Sequence, residues 1–236
     1  MKLSIVIPVY NEVKTLPVIL DKINKVKISK VTFEIIIVDD CSVDGTRDYL
    51  AKIKNKYKVF FHEKNLGKGG ALQTGISNST GDYIIIQDAD LEYDPEDYKV
   101  LLKPVLEKNL DVVFGSRFLS GKFKIFGRNH AIRPHYLAGN KVLSFLTGIL
   151  FFKRVTDMET CYKLIRADIF KSLGLGSKKF DIEPEITCKL LRRGYKILEV
   201  PIHFYPRTFE EGKKITWRDG VKAMTLLIKY RFKRTL

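Results

Sequence analysis

The sequence predicts an α/β protein in which helices flank a mostly parallel central sheet. Strand-like and helix-like segments alternate at short spacing through the first half of the chain, which is typical of βαβ units. Residues 3–8 and 33–38 are almost entirely apolar, as expected for parallel strands that are covered on both faces. With 236 residues and 45% hydrophobic content, the chain can bury a substantial core.

The individual elements follow from hydrophobic periodicity and from turn residues. The predicted strands are residues 3–8, 33–38, 59–61, 83–86, a strand that begins near 111, a strand that ends near 166, and 196–204. The predicted helices are residues 16–23, 46–56, a helix from about 71, 95–108, 136–150, 180–193 and 217–233. The last of these helices is both amphipathic and basic.

The predicted strand 83–86 runs directly into three alternating acids, Asp88, Asp90 and Glu92. In an extended chain these acids share one side, and polar residues at the carboxyl end of a buried strand form the ligand site of open α/β sheets. Oxygen ligands at this spacing suit a hard divalent ion such as Mg²⁺ or Mn²⁺. For this stretch taken alone, a turn that merely favours Asp and Pro is the alternative.

The net charge of +15 is concentrated in two segments. Residues 116–154 contain eight Lys or Arg and no carboxylate, and residues 203–236 contain nine Lys or Arg against three carboxylates. Together these segments hold 14 of the 15 net charges, so the basic surface belongs to particular elements. Such a field implies a phosphate-bearing partner, which is a nucleic acid, a nucleotide or an anionic membrane surface.

The sequence disfavours several other classes of protein. It contains no recognisable nucleic-acid-binding module, and an acidic pocket at the strand ends would repel a nucleic-acid backbone. No Gly-x-Gly-x-x-Gly follows the first strand, which argues against a dinucleotide dehydrogenase. The three cysteines are in no paired motif and the four histidines have no ligand spacing, so neither disulfides nor zinc is expected. The apolar run 142–152 is shorter than the ~20 residues of a membrane span, so we expect no transmembrane helix.

Five stretches together resemble the family 2 glycosyltransferases, which have the GT-A fold. They are IPVYNE (7–12), VDDCSVDGT (38–46), NLGKGGAL (65–72), DAD (88–90) and GSR (115–117). Within that family the chain is most similar to the polyprenyl-phosphate (dolichol-phosphate) hexose synthases. The stretches that add this similarity are TD (156–157), EPE (183–185) and EVPIHFYPR (199–207).

The resemblance implies a single Rossmann-like GT-A catalytic domain over residues 1–210. Residues 1–115 would form its nucleotide-sugar-binding half and residues 116–210 its acceptor-binding half. A basic amphipathic segment, 211–236, would follow.

The resemblance also implies a donor site for a UDP- or GDP-linked hexose. Asp90, together with Asp88 and Glu92, would hold Mg²⁺ or Mn²⁺, which neutralises charge on the departing nucleoside diphosphate. The residues implied to bind the nucleotide sugar are Pro8, Tyr10, Glu12, Val38, Asp40, Lys68, Asp88, Ala89 and Asp90.

Two hypotheses differ in the chemical nature of the acceptor. A polyprenyl or dolichyl phosphate already carries negative charge and attacks the anomeric carbon unaided, so it needs only cations to hold it. Arg117, Arg133 and Arg207 are the implied cations, because Arg forms paired hydrogen bonds with phosphate. A sugar hydroxyl would instead need a general base, for which Asp157 is the candidate. The sequence offers one displacement site, so we expect inversion, with Asp90, Arg117, Asp157 and Arg207 as the catalytic residues.

Two of the predicted helices are candidates for contact with lipid. In the helix 217–233, basic and apolar faces coexist, so it is the better candidate for binding an anionic membrane surface. The apolar helix 136–150 is interpreted first as core, with a position in the lipid interface as the alternative. We therefore expect a cytoplasmic protein that associates peripherally with the cytoplasmic face of a membrane. A homo-oligomer is left open.

Overall fold

The computed structural model describes residues 1–119, 134–207 and 217–232, with side chains from residue 139 in the second range and from residue 224 in the third. The predictions for Arg133 and Lys233, and for the side chain of Lys222, therefore lie outside the described part of the chain.

Each apolar run that predicts a strand forms one. The strands are β1 (Lys2–Val9), β2 (Thr32–Asp39), β3 (Lys58–Phe61), β4 (Tyr83–Ile86), β5 (Val112–Ser116), β6 (Lys163–Arg166) and β7 (Leu198–Pro201). Within the described residues they form one seven-stranded sheet in the order β3-β2-β1-β4-β6-β5-β7. Neighbouring strands are parallel except around β6, which is antiparallel to both β4 and β5. The predicted α/β class with a mostly parallel sheet is confirmed.

The predicted helices all form, with ends that differ by up to three residues and with three notable differences. They are α1 (Leu16–Lys25), α2 (Thr46–Ile53), α3 (Lys68–Ser77), α4 (Tyr98–Lys108), α5 (Pro134–Phe151), α6 (Ala167–Ser172), α7 (Ile182–Arg192) and α8 (Trp217–Phe232). Helix α3 begins before the expected residue 71, because Gly67 at φ 81° turns the chain directly into it. A separate 3₁₀ turn, Pro95–Asp97, precedes α4, and Asp94 caps it by accepting from the backbone N–H of Glu96. Helix α6 was not predicted, since six residues are too few to show a helical period.

Two clusters of buried side chains hold these elements together. The large core lies on both faces of the sheet, where helix α1 contributes its apolar stripe at helical spacing. A smaller cluster joins α5, α7 and α8 beside the loop before β6. Its fully or nearly buried members are Leu143, Met158, Cys188, Leu227 and Tyr230.

The strand directions determine where the polar motifs meet. Strands β1, β2, β4, β5 and β7 run the same way, so their carboxyl ends share one edge of the sheet. Strand β6 runs the opposite way, so the loop that precedes it, residues 152–162, lies at this same edge. Ligand sites of open α/β sheets lie at the carboxyl edge of their parallel strands. None of the helices that the structure describes is long and apolar enough to cross a membrane.

Candidate active site

A cleft of about 330 Å³ opens at the carboxyl edge of the sheet. Most of the side chains that the sequence nominates line it together. These are Pro8, Tyr10, Glu12, Asp40, Lys68, Asp88, Ala89, Asp90, Glu92, Arg117 and Arg207.

Two of the nominated residues lie outside the lining of this cleft. Val38 pairs with Pro8 across β1 and β2, and its fully buried side chain belongs to the core beneath Gly75 of α3. Asp157 is also fully buried, and it lies behind Arg117, which does reach the cleft.

The acids that follow β4 are held by the segment after β7. Arg207 Nη2 donates to Asp90 Oδ2 at 2.8 Å, and the backbone N–H of Arg207 donates to Glu92 Oε1 at 2.8 Å. Arg207 Nη1 lies 3.4 Å from Glu12 Oε1, so the same guanidinium also contacts the motif after β1. Burial raises the pKa of Asp90 to about 7, and the charges of Asp88 and Glu92 add to this rise, whereas Arg207 opposes it. The site therefore concentrates negative charge that a cation can relieve.

This donor set fits a hard divalent ion. The side chains are carboxylates, whose oxygens Mg²⁺ and Mn²⁺ prefer. Burial, together with the repulsion between these carboxylates, raises the pKa of Asp90. Within the described residues, no group of three or more His, Cys, Asp or Glu is arranged as a complete metal cage. Mg²⁺ is commonly held by one or two carboxylates, with substrate phosphates and water completing its shell. A metal ion held by Asp90 and its neighbours would therefore need water or phosphate ligands to complete its shell.

A chain of buried ion pairs continues from Asp88 into the protein. Lys68 Nζ lies 2.8 Å from Asp88 Oδ1 and 3.1 Å from Glu183 Oε1. Glu183 Oε2 in turn accepts from Lys163 Nζ at 2.7 Å. Burial opposes the charge of Lys68, but Asp88 and Glu183 outweigh it and raise the pKa of Lys68 well above its usual value. Lys68 therefore stays charged and fixes the orientation of Asp88.

The glycine-rich loop before α3 is anchored by Asp40 and covered by the chain itself. Asp40 accepts from the backbone N–H groups of Leu66 and Gly67, at 2.8 and 2.7 Å. The carbonyl of Lys178 accepts from the N–H of Gly69 at 2.8 Å. A Cβ on Gly67 would lie 2.3 Å from that same carbonyl oxygen. Residues 177–178 therefore make the close approach to these glycines.

Arg117 and Asp157 form a buried ion pair with two parallel hydrogen bonds. Arg117 Nε and Nη2 each donate to a different oxygen of Asp157 at 2.7 Å, and the Arg117 N–H donates to Oδ2 at 3.0 Å. Burial opposes the charge of Arg117, but Asp157 outweighs it and raises the pKa of the guanidinium. Glu199 fixes the Asp157 loop, because its carboxylate accepts from the N–H groups of Thr156 and Asp157 at 2.8 to 3.0 Å. Arg117 is thus presented to the cleft on a rigid support.

The cleft also includes residues that the sequence did not nominate. Glu183 belongs to a stretch that carries the family resemblance, but nothing in the sequence indicates its contact with Lys68. Glu159 and Cys161 come from the loop before β6, where residues 158 and 159 form a turn, so no sequence period indicates them. The remaining lining residues are Val9, Asn65, Gly67, Ala71, Tyr93, Lys179 and Phe180.

Comparison with known proteins places the chain in a family. The family model described as "Glycosyl transferase family 2" matches residues 4–174. A dolichyl-phosphate beta-glucosyltransferase of Trichomonas vaginalis is 30% identical over 242 residues, which cover 96% of this chain and 72% of that protein. A dolichol-phosphate mannosyltransferase of Pyrococcus furiosus is 27% identical over 215 residues, which cover 90% of this chain but 59% of that protein.

Solved structures agree with this assignment at the level of the fold. Glucosyl-3-phosphoglycerate synthase from Mycobacterium tuberculosis, in complex with Mn²⁺, uridine diphosphate and phosphoglyceric acid, has a TM-score of 0.70 at 18% identity. The match covers 98% of this chain and 78% of that one. The predicted GT-A fold and the family resemblance are therefore both confirmed. This chain belongs to glycosyl transferase family 2, and it is a glycosyltransferase.

Proposed function

We propose that this protein transfers a hexose from a UDP- or GDP-linked donor to a polyprenyl or dolichyl phosphate. The observation that carries the proposal is that Arg117 and Arg207 line the same cleft as the acids that follow β4. A transferase that joins a diphosphate-linked sugar to a phosphate acceptor needs both kinds of charge in one site. Two relatives whose names specify dolichyl phosphate, at 30% and 27% identity, support the same acceptor.

The donor half of the proposal uses residues 1–115. Tyr10, Glu12 and Asp40 come from the ends of β1 and β2, where an α/β sheet holds a nucleotide. Asp90, with Asp88 and Glu92, is the proposed holder of Mg²⁺ or Mn²⁺. When bound, the metal would neutralise charge on the departing nucleoside diphosphate. Structures of a GT-A neighbour with Mn²⁺ or Mg²⁺ and uridine diphosphate support this choice of ion.

The proposed reaction is a single displacement that inverts the anomeric centre. A phosphate acceptor is already ionised near neutral pH, so no side chain has to remove a proton from it. The anomeric carbon–oxygen bond to the diphosphate breaks as the bond to the acceptor phosphate forms, and the electron pair leaves with the nucleoside diphosphate. An α-linked donor then gives a β-linked product. The name of the Trichomonas relative, which specifies a beta-glucosyl transfer, supports this outcome.

The acceptor half of the proposal uses residues 116–210. Arg117, held by Asp157, offers a guanidinium to the acceptor phosphate, and Arg207 offers a second one when it leaves Asp90. Arg133, the third nominated cation, lies outside the described residues. The hydroxyl-acceptor alternative would require Asp157 to act as a base, but Asp157 is fully buried and both its oxygens accept from Arg117. The observed pair therefore favours the phosphate acceptor.

The lipid acceptor also requires a surface that contacts a membrane. Helix α5 buries Asn140, Leu143 and Thr147 on one side and exposes a stripe of large apolar residues on the other. We name these exposed residues the α5 face; they are Val142, Phe145 and Ile149 of α5, together with Phe152, which directly follows the helix. Phe145 is 68% exposed and Phe152 is 81% exposed, which is unusual for residues of this size.

Exposed positive charge lies close to the α5 face along the chain and on the helix that packs against α5. Lys141, Lys153 and Arg154 lie within or next to the stripe and are exposed, and α8 packs against α5 and adds Lys229 and Arg231. Exposed apolar side chains with basic residues nearby suit the cytoplasmic surface of a membrane with anionic lipids. We propose peripheral attachment through this face. In this proposal one side of α5 packs in the protein core and the other contacts the membrane. Helix α5 thus shares the membrane contact for which the sequence favoured α8.

The proposed function is tested by incubating the purified protein with UDP-glucose or GDP-mannose, Mn²⁺ and a short polyprenyl phosphate. Labelled sugar recovered in the lipid extract, dependent on the metal, is the expected result. The Asp90→Asn variant is the negative control, because it keeps the size of the side chain and removes the charge. Full transfer in excess chelator would show that the metal is not required. Absence of transfer with either donor would show that the proposed acceptor or the proposed sugar is wrong.

A further inference from the structure

The cleft contains an acidic side chain that the proposed mechanism does not use. Glu159 lines the cleft from the loop before β6, two residues beyond Asp157. Its Oε1 atom is sealed from solvent and has no hydrogen-bond partner among the residues that the structure describes. Buried polar atoms are nearly always hydrogen-bonded in native proteins, so a bare carboxylate oxygen in a ligand cleft indicates that a donor is missing.

The cations beside Glu159 are engaged elsewhere. Lys163 Nζ donates to Glu183 Oε2 at 2.7 Å and to the carbonyl groups of Met158 and Thr160. Arg117 directs Nε and Nη2 at Asp157. Burial consequently raises the pKa of Glu159 to about 7; Glu183 and Asp157 add to the rise, and Lys163 and Arg117 oppose it. None of the described residues thus supplies a donor to Oε1, and Glu159 lines the cleft, where a bound molecule can supply one.

The position of Glu159 identifies which part of the reactants meets it. Its electrostatic neighbours include Arg117, on the proposed acceptor side, and Glu183, which contacts Lys68 and so Asp88 on the donor side. The transferred sugar must lie between these two sides. Both phosphates would be repelled by a carboxylate, whereas a hexose ring carries several hydroxyl donors.

We propose that Glu159 accepts a hydrogen bond from a hydroxyl group of the transferred hexose and so helps to select the sugar. This inference rests on the proposed function, because it takes a nucleotide-linked hexose as the donor. Glu159 is a specificity-determining residue in this view and takes no part in bond breaking. A site that forms a hydrogen bond with a substrate hydroxyl binds the analogue without that hydroxyl much more weakly, because the protein group is then left unpaired.

The test is a double-mutant cycle on donor binding. UDP-glucose and its 2-, 3-, 4- and 6-deoxy analogues are titrated, with Mn²⁺ present, into the wild-type protein and into Glu159→Ala; the corresponding GDP-mannose series is used if the protein binds only that nucleotide. In the wild type, removal of one particular hydroxyl is expected to weaken binding roughly 10- to 100-fold, as for a hydrogen bond to a charged group. In Glu159→Ala the same removal is expected to change affinity by less than about threefold.

Three controls separate recognition from folding. Glu159→Gln keeps an oxygen acceptor, so it should retain part of the dependence on that hydroxyl, and binding of UDP alone should be unchanged in all variants. Glu107→Gln, an exposed acid on α4, should behave as the wild type. The melting temperature of Glu159→Gln should be equal to or higher than that of the wild type, since a buried carboxylate without a donor destabilises the fold.

The outcomes distinguish this inference from the proposed function. If no deoxy analogue shows a dependence on Glu159 while transfer to polyprenyl phosphate occurs, the role of Glu159 is overturned. If the dependence on Glu159 is found but no transfer to a lipid phosphate occurs, the proposed acceptor is wrong, and the proposed role of Glu159 in sugar recognition is retained. A protein that binds no nucleotide sugar overturns both.

Discussion

Arg207 donates to Asp90 at 2.8 Å from its guanidinium, while its backbone N–H donates to Glu92 at 2.8 Å. One arginine thus engages two of the acids that we propose as metal ligands. The chain thus supplies a cation that offsets the repulsion on Asp90 from its neighbouring acids. In the proposed mechanism, a divalent ion that arrives with the donor would compete with this guanidinium, and displacement would release Arg207 toward the acceptor phosphate.

The first prediction concerns this competition. Arg207→Ala should bind Mn²⁺ alone about fivefold more tightly than the wild type, because the resident cation is gone, while transfer to polyprenyl phosphate falls. Mn²⁺ affinity is measured by titration followed by electron paramagnetic resonance. Lys22→Gln is the matched control, since Lys22 pairs at 3.5 Å with Asp94, an acid outside the cluster. Unchanged Mn²⁺ affinity in Arg207→Ala would mean that the arginine and the metal do not share Asp90.

The second prediction separates the contribution of Arg117 to protein stability from its proposed role in binding the acceptor phosphate. Arg117→Ala leaves the buried Asp157 without its partner, which should cost about 3–5 kcal/mol of unfolding free energy. Arg117→Met combined with Asp157→Leu should recover most of this loss, because it replaces the pair with apolar groups. Both variants should fail to transfer sugar to polyprenyl phosphate.

Urea unfolding measures the stability of these variants. Arg166→Ala is the control, because Arg166 forms an exposed pair with Asp111 and Asp168 that should contribute less than about 1 kcal/mol. Normal transfer by the stable double variant would show that the Arg117 guanidinium does not hold the acceptor.

Long-range partners mark the limit of what the sequence alone predicts. The acids after β4 could be grouped because a period of two is visible in four or five neighbouring residues. Their partner Arg207 lies 117 residues away from Asp90, and Arg117 lies 40 residues from Asp157. Such contacts depend on the order and direction of strands, and the antiparallel β6 between β4 and β5 leaves no local pattern.

Buried charged residues mark a second limit of what the sequence predicts. Lys163 is fully buried and pairs with Glu183, although periodicity alone assigns a lysine to the surface. The sequence did predict the apolar strands β1, β2 and β4 and the apolar stripe of helix α1. In these elements the apolar residues are the buried ones, so the hydrophobic pattern alone indicates the structure.

The third prediction concerns the contact between the glycine-rich loop and residues 177–178. Gly67→Ala should destabilise the protein by about 1–3 kcal/mol more than Gly194→Ala, and it should also raise the KM for the donor. Both glycines have φ +81°, so an alanine is strained at either position, and the ψ of 167° at Gly67 adds further strain there. A Cβ at Gly67 meets Lys178, whereas at Gly194 no heavy atom of the described residues lies within 4 Å. Equal losses in urea unfolding would show that the contact contributes nothing.

The fourth prediction concerns the α5 face. Phe145→Ser combined with Ile149→Ser should weaken binding to vesicles in which a third of the phospholipid is anionic, because each buried side chain of this kind contributes about 1.5–3 kcal/mol. Replacing Lys222, Lys229 and Lys233 with Gln should weaken the same binding mainly at low salt. Turnover of a short water-soluble acceptor should survive both changes.

Co-sedimentation with the vesicles checks this prediction. Leu106→Ser, which removes an exposed apolar residue of α4, should bind as the wild type does. If the wild-type protein ignores anionic vesicles at low salt, the membrane surface is not its partner.

The central claim is that the acceptor is a phosphate, and one comparison tests it most directly. A short polyprenyl phosphate and the polyprenol of the same length are offered to the wild-type protein with the same nucleotide sugar and Mn²⁺, and the product is analysed by NMR. We predict a phosphodiester-linked sugar in the β configuration from the phosphate and no product from the alcohol. Transfer to the alcohol or to a glycan hydroxyl, without transfer to the phosphate, would contradict the account and return Asp157 to consideration as a general base.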